Sequence, residues 1–254
     1  MHINNNMRGV ELMFLEERYS KIIELVNKNG RVTVKDLAKG FEVSEDCIRK
    51  DLRELENRNE LKRVYGGAII NRNHNDIRPI DERKEINKDI KDKIAQNAFK
   101  LIENEDIVFL DVSTINIEIA KELNKSMKKV TVVTNMIEVV AELKKSHNIK
   151  VIIVGGEFNT DVGAIIGAAA DRYIKKFTYD KCFIGVCGIN KESGYISTIN
   201  LEDGNTKKTI IECSNKSYLV MEDEKFNYDE FYKFAKITDI TGIITENSID
   251  RYTL

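Results

Sequence analysis

The sequence predicts two domains: a small helical one closed by a β-hairpin, then a larger α/β domain built on a mostly parallel sheet. Three observations lead there. Residues 43–68, VSEDCIRKDLRELENRNELKRVYGGA, read as a short amphipathic helix, a turn and a hairpin with two glycines. Residues 71–80, NRNHNDIRPI, are polar, lack periodicity and hold the single proline, so they mark a linker. Beyond them, short continuous apolar runs alternate with helical patterns, the mark of a sheet covered on both faces. A chain of 254 residues is long enough for two domains that each bury a core.

The first domain is expected over residues 13–70, with 1–12 an extension that carries no fold signal. Tyr19, Ile22, Ile23 and Val26 mark a first helix. Thr33-Val34-Lys35-Asp36 reads as a cap opening a short second helix, with Leu37, Ala38 and Phe41 on its buried side. Ser44 caps the third, where Glu45 and Asp46 suit the positive end of the helix dipole. Ile48, Leu52 and Leu55 form its apolar stripe, and Asp46, Arg49, Lys50 and Arg53 lie opposite. Asn57-Arg58-Asn59 is turn chemistry, and Gly66-Gly67 permits positive φ at a hairpin tip that Arg63 and Tyr65 approach on one strand face. Three short helices with a tight turn before the last, followed by a hairpin, match the winged helix-turn-helix plan, whose last helix enters the major groove of double-stranded DNA.

Bulk charge does not argue for nucleic acid. The net charge is −2; residues 16–70 carry 12 Lys and Arg against 11 Asp and Glu, net +1, and residues 71–254 come to −3. The placement of the arginines carries the reading instead. Cys47, Cys182, Cys187 and Cys213 form no C-x-x-C pair, and the three histidines are scattered. Free thiols of a reducing cytoplasm are therefore expected, with no metal and no cofactor. No apolar run approaches the roughly 20 residues a membrane span needs, and no secretory signal is present, so no membrane partner is expected.

The second domain is expected over residues 81–254. Ile86, Ile90, Ile94, Ala98, Leu101 and Ile102 keep the spacing of one long helix. Strands are expected at 107–110, 130–133, 151–154, 182–186 and 218–220, with helices near 116–123, 136–145, 168–175 and 202–214. In parallel sheets ligands bind beyond the carboxyl ends of the strands. That rule selects Asp111-Val112-Ser113-Thr114, Thr134-Asn135, Gly155-Gly156, Gly185, Gly188 and the segment 222–225. The first of these opens a helix whose free N–H groups favour a phosphate.

These residues resemble a known family. IRKDLRELE followed by LKRVYGGA is similar to the signature of DeoR-type bacterial transcriptional regulators, and the likeness runs from about Glu16 to the C-terminus. The resemblance implies that Ser44, Arg49, Lys50 and Arg53 contact DNA, with Arg63 and Tyr65 supporting from the wing. Cys47 stands where the family has threonine, which removes a hydroxyl, and Asn59 where it has glycine. Glu82-Arg83, Asn87 and Lys91 fit a pattern seen at the start of the family's effector domain. That domain resembles sugar-phosphate isomerases and CoA-transferases in fold and binds a phosphorylated sugar or related metabolite.

Its phosphate loop, Asp-x-Gly-Thr-Thr, is here Asp111-Val112-Ser113-Thr114-Ile115, which loses one donor and the conformational freedom of glycine. Its Asp-x-Ser-Lys segment is here Glu222-Asp223-Glu224-Lys225, and Glu224 would repel an anion. Thr134, Asn135, Gly155, Gly156, Glu202, Lys207 and Lys225 match. The expected function is a DNA-binding regulator, a repressor of a carbohydrate operon released by a phosphorylated sugar and working as a homo-oligomer on paired half-sites. The alternatives are a DNA-binding oligomer that has lost its metabolite, and an isomerase-like enzyme, for which no His–Ser or His–Cys constellation speaks.

Overall fold

A computed structural model describes residues 15–58, 60–70 and 80–251. The N-terminal extension, Asn59 and the linker with its proline lie outside the described residues. The chain divides into two compact units, Met1–Asn73 and His74–Leu254.

In the first unit, helix α1 (Leu15–Asn29) precedes strand β1 (Arg31–Thr33), helix α2 (Val34–Gly40), helix α3 (Glu45–Asn57) and the hairpin β2 (Leu61–Val64)–β3 (Gly67–Ile70). Both sequence-read caps form: Thr33 Oγ1 accepts from the Asp36 N–H and Ser44 Oγ from the Cys47 N–H. Ile22, Val26, Leu37, Ile48, Leu52, Leu55 and Leu61 close one core under the three helices. The strand pairing adds an element that the sequence reading did not place: β1 pairs with β3, giving an antiparallel sheet in the order β1-β3-β2. Three residues, Arg-Val-Thr, carry too little period to register as a strand by themselves. Their pairing is instead permitted by Gly67, where a Cβ would fall 2.0 Å from the Val32 carbonyl oxygen.

The second unit opens with helices α4 (Ile80–Glu85) and α5 (Lys88–Phe99). This corrects the single long helix expected from the apolar spacing. The break is at Asn87, held in the left-handed region at φ 52°, which asparagine tolerates, and Ile86 before it is exposed. Leu101 and Ile102 lie beyond the helix end.

There follow β4 (Ile107–Leu110), α6 (Thr114–Lys125), β5 (Val130–Thr134), α7 (Ile137–Leu143) and β6 (Ile149–Ile153). After the small hairpin β7 (Phe158–Asn159)–β8 (Ala164–Ile165) come α8 (Ala168–Ile174), β9 (Tyr179–Gly185), β10 (Gly188–Ile189) and β11 (Tyr195–Thr198). Helix α9 (Leu201–Glu212), β12 (Ser214–Val220), β13 (Tyr232–Lys236), β14 (Gly242–Ile244) and β15 (Ile249–Arg251) complete the unit.

The main sheet has the order β15-β14-β12-β9-β4-β5-β6; six strands run parallel and β15 is an antiparallel edge. Helices α5, α6 and α7 pack on one face around Ile94, Ile119 and Val139, and α8 and α9 on the other around Ile174 and Ile210. The near-continuous apolar strands follow from this double cover. From β4 the chain moves outward through β5 and β6, then returns to lay β9 on the other side of β4. The crevice between the carboxyl ends of β4 and β9 is therefore the switch point at which such folds bind ligands. No described helix is long and apolar enough to cross a membrane.

Candidate functional site

Two constellations emerge, one in each unit. In the first, α3 presents Asp46, Arg49, Lys50 and Arg53 on one exposed face. Arg49 is not free: Nη2 lies 2.6 Å from Glu45 Oε2 and Nη1 2.7 Å from Asp46 Oδ1. Lys50 and Arg53 make no ion pair among the described residues. Arg63, on β2, donates from Nε to Glu56 Oε2 at 2.6 Å, and Tyr65 stands fully exposed at the hairpin tip. Tyr65 belongs to the turn rather than to the strand face expected for it beside Arg63. Beneath the exposed face lies a contact absent from the sequence reading. Arg18 donates from Nε and Nη2 to the two carboxylate oxygens of the buried Asp51, at 2.6 and 3.0 Å, and ties α1 to α3. Cys47 Sγ sits 3.5 Å from the same guanidinium, so the position lacking a threonine hydroxyl faces this ion pair.

The second constellation lies at the switch point. Asp111 leaves β4 fully buried; its Oδ2 accepts from Lys207 Nζ at 2.5 Å and from the Gly185 N–H at 3.3 Å. Lys207 also lies 3.0 Å from Asp203, one helical turn earlier on α9, and Asp203 accepts from the Thr198 hydroxyl. One ammonium thus serves two carboxylates out of solvent. Burial pushes the Asp111 carboxyl up to about 6, against the pull of Lys207 and with the help of Asp203. Burial also opposes the Lys207 charge, but the two carboxylates outweigh it and hold the ammonium above the ordinary lysine range.

Around this triad, buried polar atoms stand without partners among the described residues: Asp111 Oδ1, Asn116 Oδ1, both polar atoms of Asn135, Glu138 Oε2 and Arg83 Nε. Native interiors leave few such atoms unsatisfied, so a concentration of them at one sheet edge points to a polar ligand. Cations converge on the same edge. Arg83 on α4 is within electrostatic range of Asp203 and Glu138, and burial lowers its proton affinity. Lys91 donates to the Arg83 carbonyl and interacts with Glu222, Arg83 and Lys225. Lys225 lies over the Tyr228 ring, 5.6 Å from its centroid.

The other sequence-selected residues take different places. Ser113 caps α6 with an extended φ of −162°, so the freedom of glycine is not used here. Its Oγ accepts from the Ile115 N–H, however, and removes an amide that the loop reading had counted as available. Thr114 is buried in the first turn of α6. The Thr134 hydroxyl donates to the Leu110 carbonyl and accepts from the Met136 N–H, which makes it a brace for the loop. Gly155 and Gly156 are exposed, and a Cβ at Gly156 would meet Ile165 at 2.8 Å. Glu202 is exposed beside Gly167, and Glu224, expected to repel a ligand, is exposed as well. The buried carboxylate of that segment is Glu222, which accepts from Asn87 Nδ2 at 2.6 Å.

Arg83 and Lys91 were noted in the sequence only as part of a pattern, and Asp203 and Asn116 were missed. The Asp203–Lys207 spacing of four on a buried helix was the available signal.

Comparison with known proteins gives a family match in each unit. The model described as the DeoR-like helix-turn-helix domain matches residues 18–74, and the DeoR C terminal sensor domain matches residues 86–247. The chain is 30% identical over 239 residues to the HTH-type transcriptional regulator GolR of Listeria innocua, spanning 94% of this chain and 93% of that protein. It is 29% identical over 234 residues to the lactose phosphotransferase system repressor of Staphylococcus aureus, with 91% of each covered. Among solved structures, ribose 5-phosphate isomerase A of Methanocaldococcus jannaschii aligns over 55% of each chain at 14% identity and a TM-score of 0.42.

Proposed function

The chain belongs to the DeoR family of DNA-binding transcriptional regulators, and on that premise we propose that it represses a carbohydrate operon under control of a phosphorylated sugar or related metabolite. The winged helix holds operator DNA, with Ser44, Arg49, Lys50 and Arg53 on the recognition helix and Arg63 and Tyr65 on the wing. The metabolite binds at the switch point of the sensor unit. The observation that carries this reading is the group of buried, unpartnered polar atoms around Asp111 and Asn135, with Arg83, Lys91 and Lys225 at the same edge.

Within that site the roles divide by chemistry. Asp111 and Asn135 offer acceptors and donors suited to sugar hydroxyls, and Arg83, Lys91 and Lys225 supply positive charge for a phosphate. Ser113, Thr114, Thr134, Gly155, Gly156, Glu202 and Lys207 shape and brace the surrounding loops. The protein acts in the cytoplasm as a homo-oligomer that sets the spacing of two winged helices, and it turns over no substrate. A metabolite that binds one arrangement better than another shifts DNA affinity by that difference alone.

The experiment is fluorescence anisotropy on DNA from upstream of the protein's own operon, at several salt concentrations, with and without a pool of phosphorylated sugars. Tight, salt-sensitive binding that the pool reverses, and that Arg83→Ala or Lys225→Ala renders indifferent to the pool, is the expected result. Tight binding that no sugar phosphate alters in the unmodified chain would remove the metabolite from the reading.

A further inference from the structure

We infer that Glu45 and Asp46 are positioning residues that hold Arg49 as a guanine reader, while Lys50 and Arg53 serve the DNA phosphates. This rests on the DNA-binding role of α3 given above. The observation is the double ion pair at the first turn of that helix: Arg49 bonded through Nη2 to Glu45 and through Nη1 to Asp46. The N-terminal residues of a recognition helix are those that reach base edges.

Charge decides what such a group can grip. Arg49, Glu45 and Asp46 together carry a net charge of −1, which repels a phosphate. A guanine edge is neutral and offers two acceptors, O6 and N7, to an arginine fork. Each terminal nitrogen of Arg49 has two N–H groups, so one on each remains after both carboxylates are served. The flanking carboxylates also restrict the guanidinium before DNA arrives, which reduces the ordering cost of binding. The cytosine paired with a guanine presents an N4–H donor that suits a carboxylate, so the same group favours a G·C pair twice over. Lys50 and Arg53, one and four positions beyond Arg49 on the same exposed face, lack such partners among the described residues. Their charge is free for the counterion-releasing contacts that give affinity without sequence.

The test is selection from randomised DNA duplexes, followed by anisotropy on matched duplexes with and without the selected guanine, for the unmodified chain, Arg49→Ala, Lys50→Ala and Glu45→Gln/Asp46→Asn. Ser44 and its cap are untouched and the acidic side chains are exposed, so a thermal melt lowered only slightly, by the lost charge at the helix N-terminus, is expected as a folding control. The unmodified chain should prefer guanine at one half-site position by about tenfold or more, and Arg49→Ala should lose that preference. The acid-neutralised variant should bind every duplex more tightly, with a salt slope steeper by about one, and its guanine preference should fall severalfold. Lys50→Ala should weaken binding evenly across sequences.

Guanine preference intact in Glu45→Gln/Asp46→Asn, or surviving Arg49→Ala, would overturn the inference and leave the regulator reading standing. An unmodified chain that selects no sequence would overturn the regulator reading itself.

Discussion

Lys207 Nζ lies 2.5 Å from Asp111 Oδ2, with both side chains withdrawn from solvent, and this contact joins the end of β4 to α9 across the switch point. Asp111 also receives the Gly185 N–H from the end of β9, so the pair ties β4, β9 and α9 together. Breaking a buried pair from one side leaves an uncompensated charge, and here Asp203 would be stranded too. Lys207→Met is expected to destabilise the sensor unit by about 3–5 kcal/mol. Lys208→Met, at an exposed lysine 4.0 Å from Glu212, should change stability by less than about 1 kcal/mol. Urea unfolding of the two variants provides the comparison, and equal midpoints would contradict the role given to Lys207.

The same carboxylate sets a pH dependence. Asp111 is raised in the folded state from 3.8 to about 6, chiefly by burial. A raised carboxyl contributes stability that is complete below the unfolded value and is lost as pH rises through the folded one. The unmodified chain should therefore lose stability relative to Asp111→Asn between about pH 4 and pH 6. Parallel thermal melts across that range would show the difference; curves that keep a constant separation would argue that Asp111 is not perturbed in this direction.

The Arg18–Asp51 pair predicts that DNA binding can be lost from beneath the recognition helix. Arg18→Met leaves the Asp51 carboxylate buried without a counter-ion, with only the weak Cys47 thiol contact, at a cost of about 3–5 kcal/mol to the first unit. Arg49→Ala breaks only exposed pairs and should cost that unit under about 1 kcal/mol while still impairing recognition. Circular dichroism melts beside anisotropy separate the two effects. A fully stable Arg18→Met protein would show that the buried pair is dispensable.

Asn87 carries two duties, a left-handed backbone and a hydrogen bond to Glu222. Asn87→Gly keeps the first and loses the second, whereas Asn87→Ala loses both. Alanine should be the more destabilising by about 1 kcal/mol, the cost of a Cβ in that region. If alanine matches glycine in thermal melts, the break between α4 and α5 is not held as described.

Gly185 faces Ser113 so closely that a Cβ there would fall 2.6 Å from the serine Cβ. Gly185→Ala should displace the Asp111–Thr114 loop, weaken the response to any effector by tenfold or more, and leave operator affinity within about twofold, since the winged helix is a separate compact unit. Effector titrations on bound DNA measure the first effect, and a response equal to that of the unmodified chain would place the ligand elsewhere.

Much of this molecule is written in short-range pattern. Thr33 and Ser44 cap their helices because a hydroxyl three residues ahead of an amide is a local geometry. The strands at 107–110 and 130–134 appear where apolar runs place them, and the loops beyond them fall at one sheet edge because the strands are parallel. The family resemblance likewise rested on contiguous residues. The pieces that escaped the reading depend on partners far along the chain. The helix break at Asn87 falls inside an apolar pattern that runs on through it, and the hydrogen-bond partner of Asn87, Glu222, lies 135 residues away. Strand β1 is too short to announce itself and forms because Gly67 leaves room for it.

From its sequence alone the chain determined its two-domain plan, its helix caps, the mostly parallel run of its main strands and the exposed face of α3, because each follows from periodicity and chemistry within a few residues. Tertiary structure alone decided which charges are spent and which are free. Arg18 and Asp51 stand 33 residues apart, yet the fold pairs them in the interior of the first unit. Asp111, Asp203 and Lys207 become a buried triad only when β4 and α9 meet. Ion pairing and desolvation depend on distances between residues that the sequence does not order, so the chemistry of both sites waits on the fold.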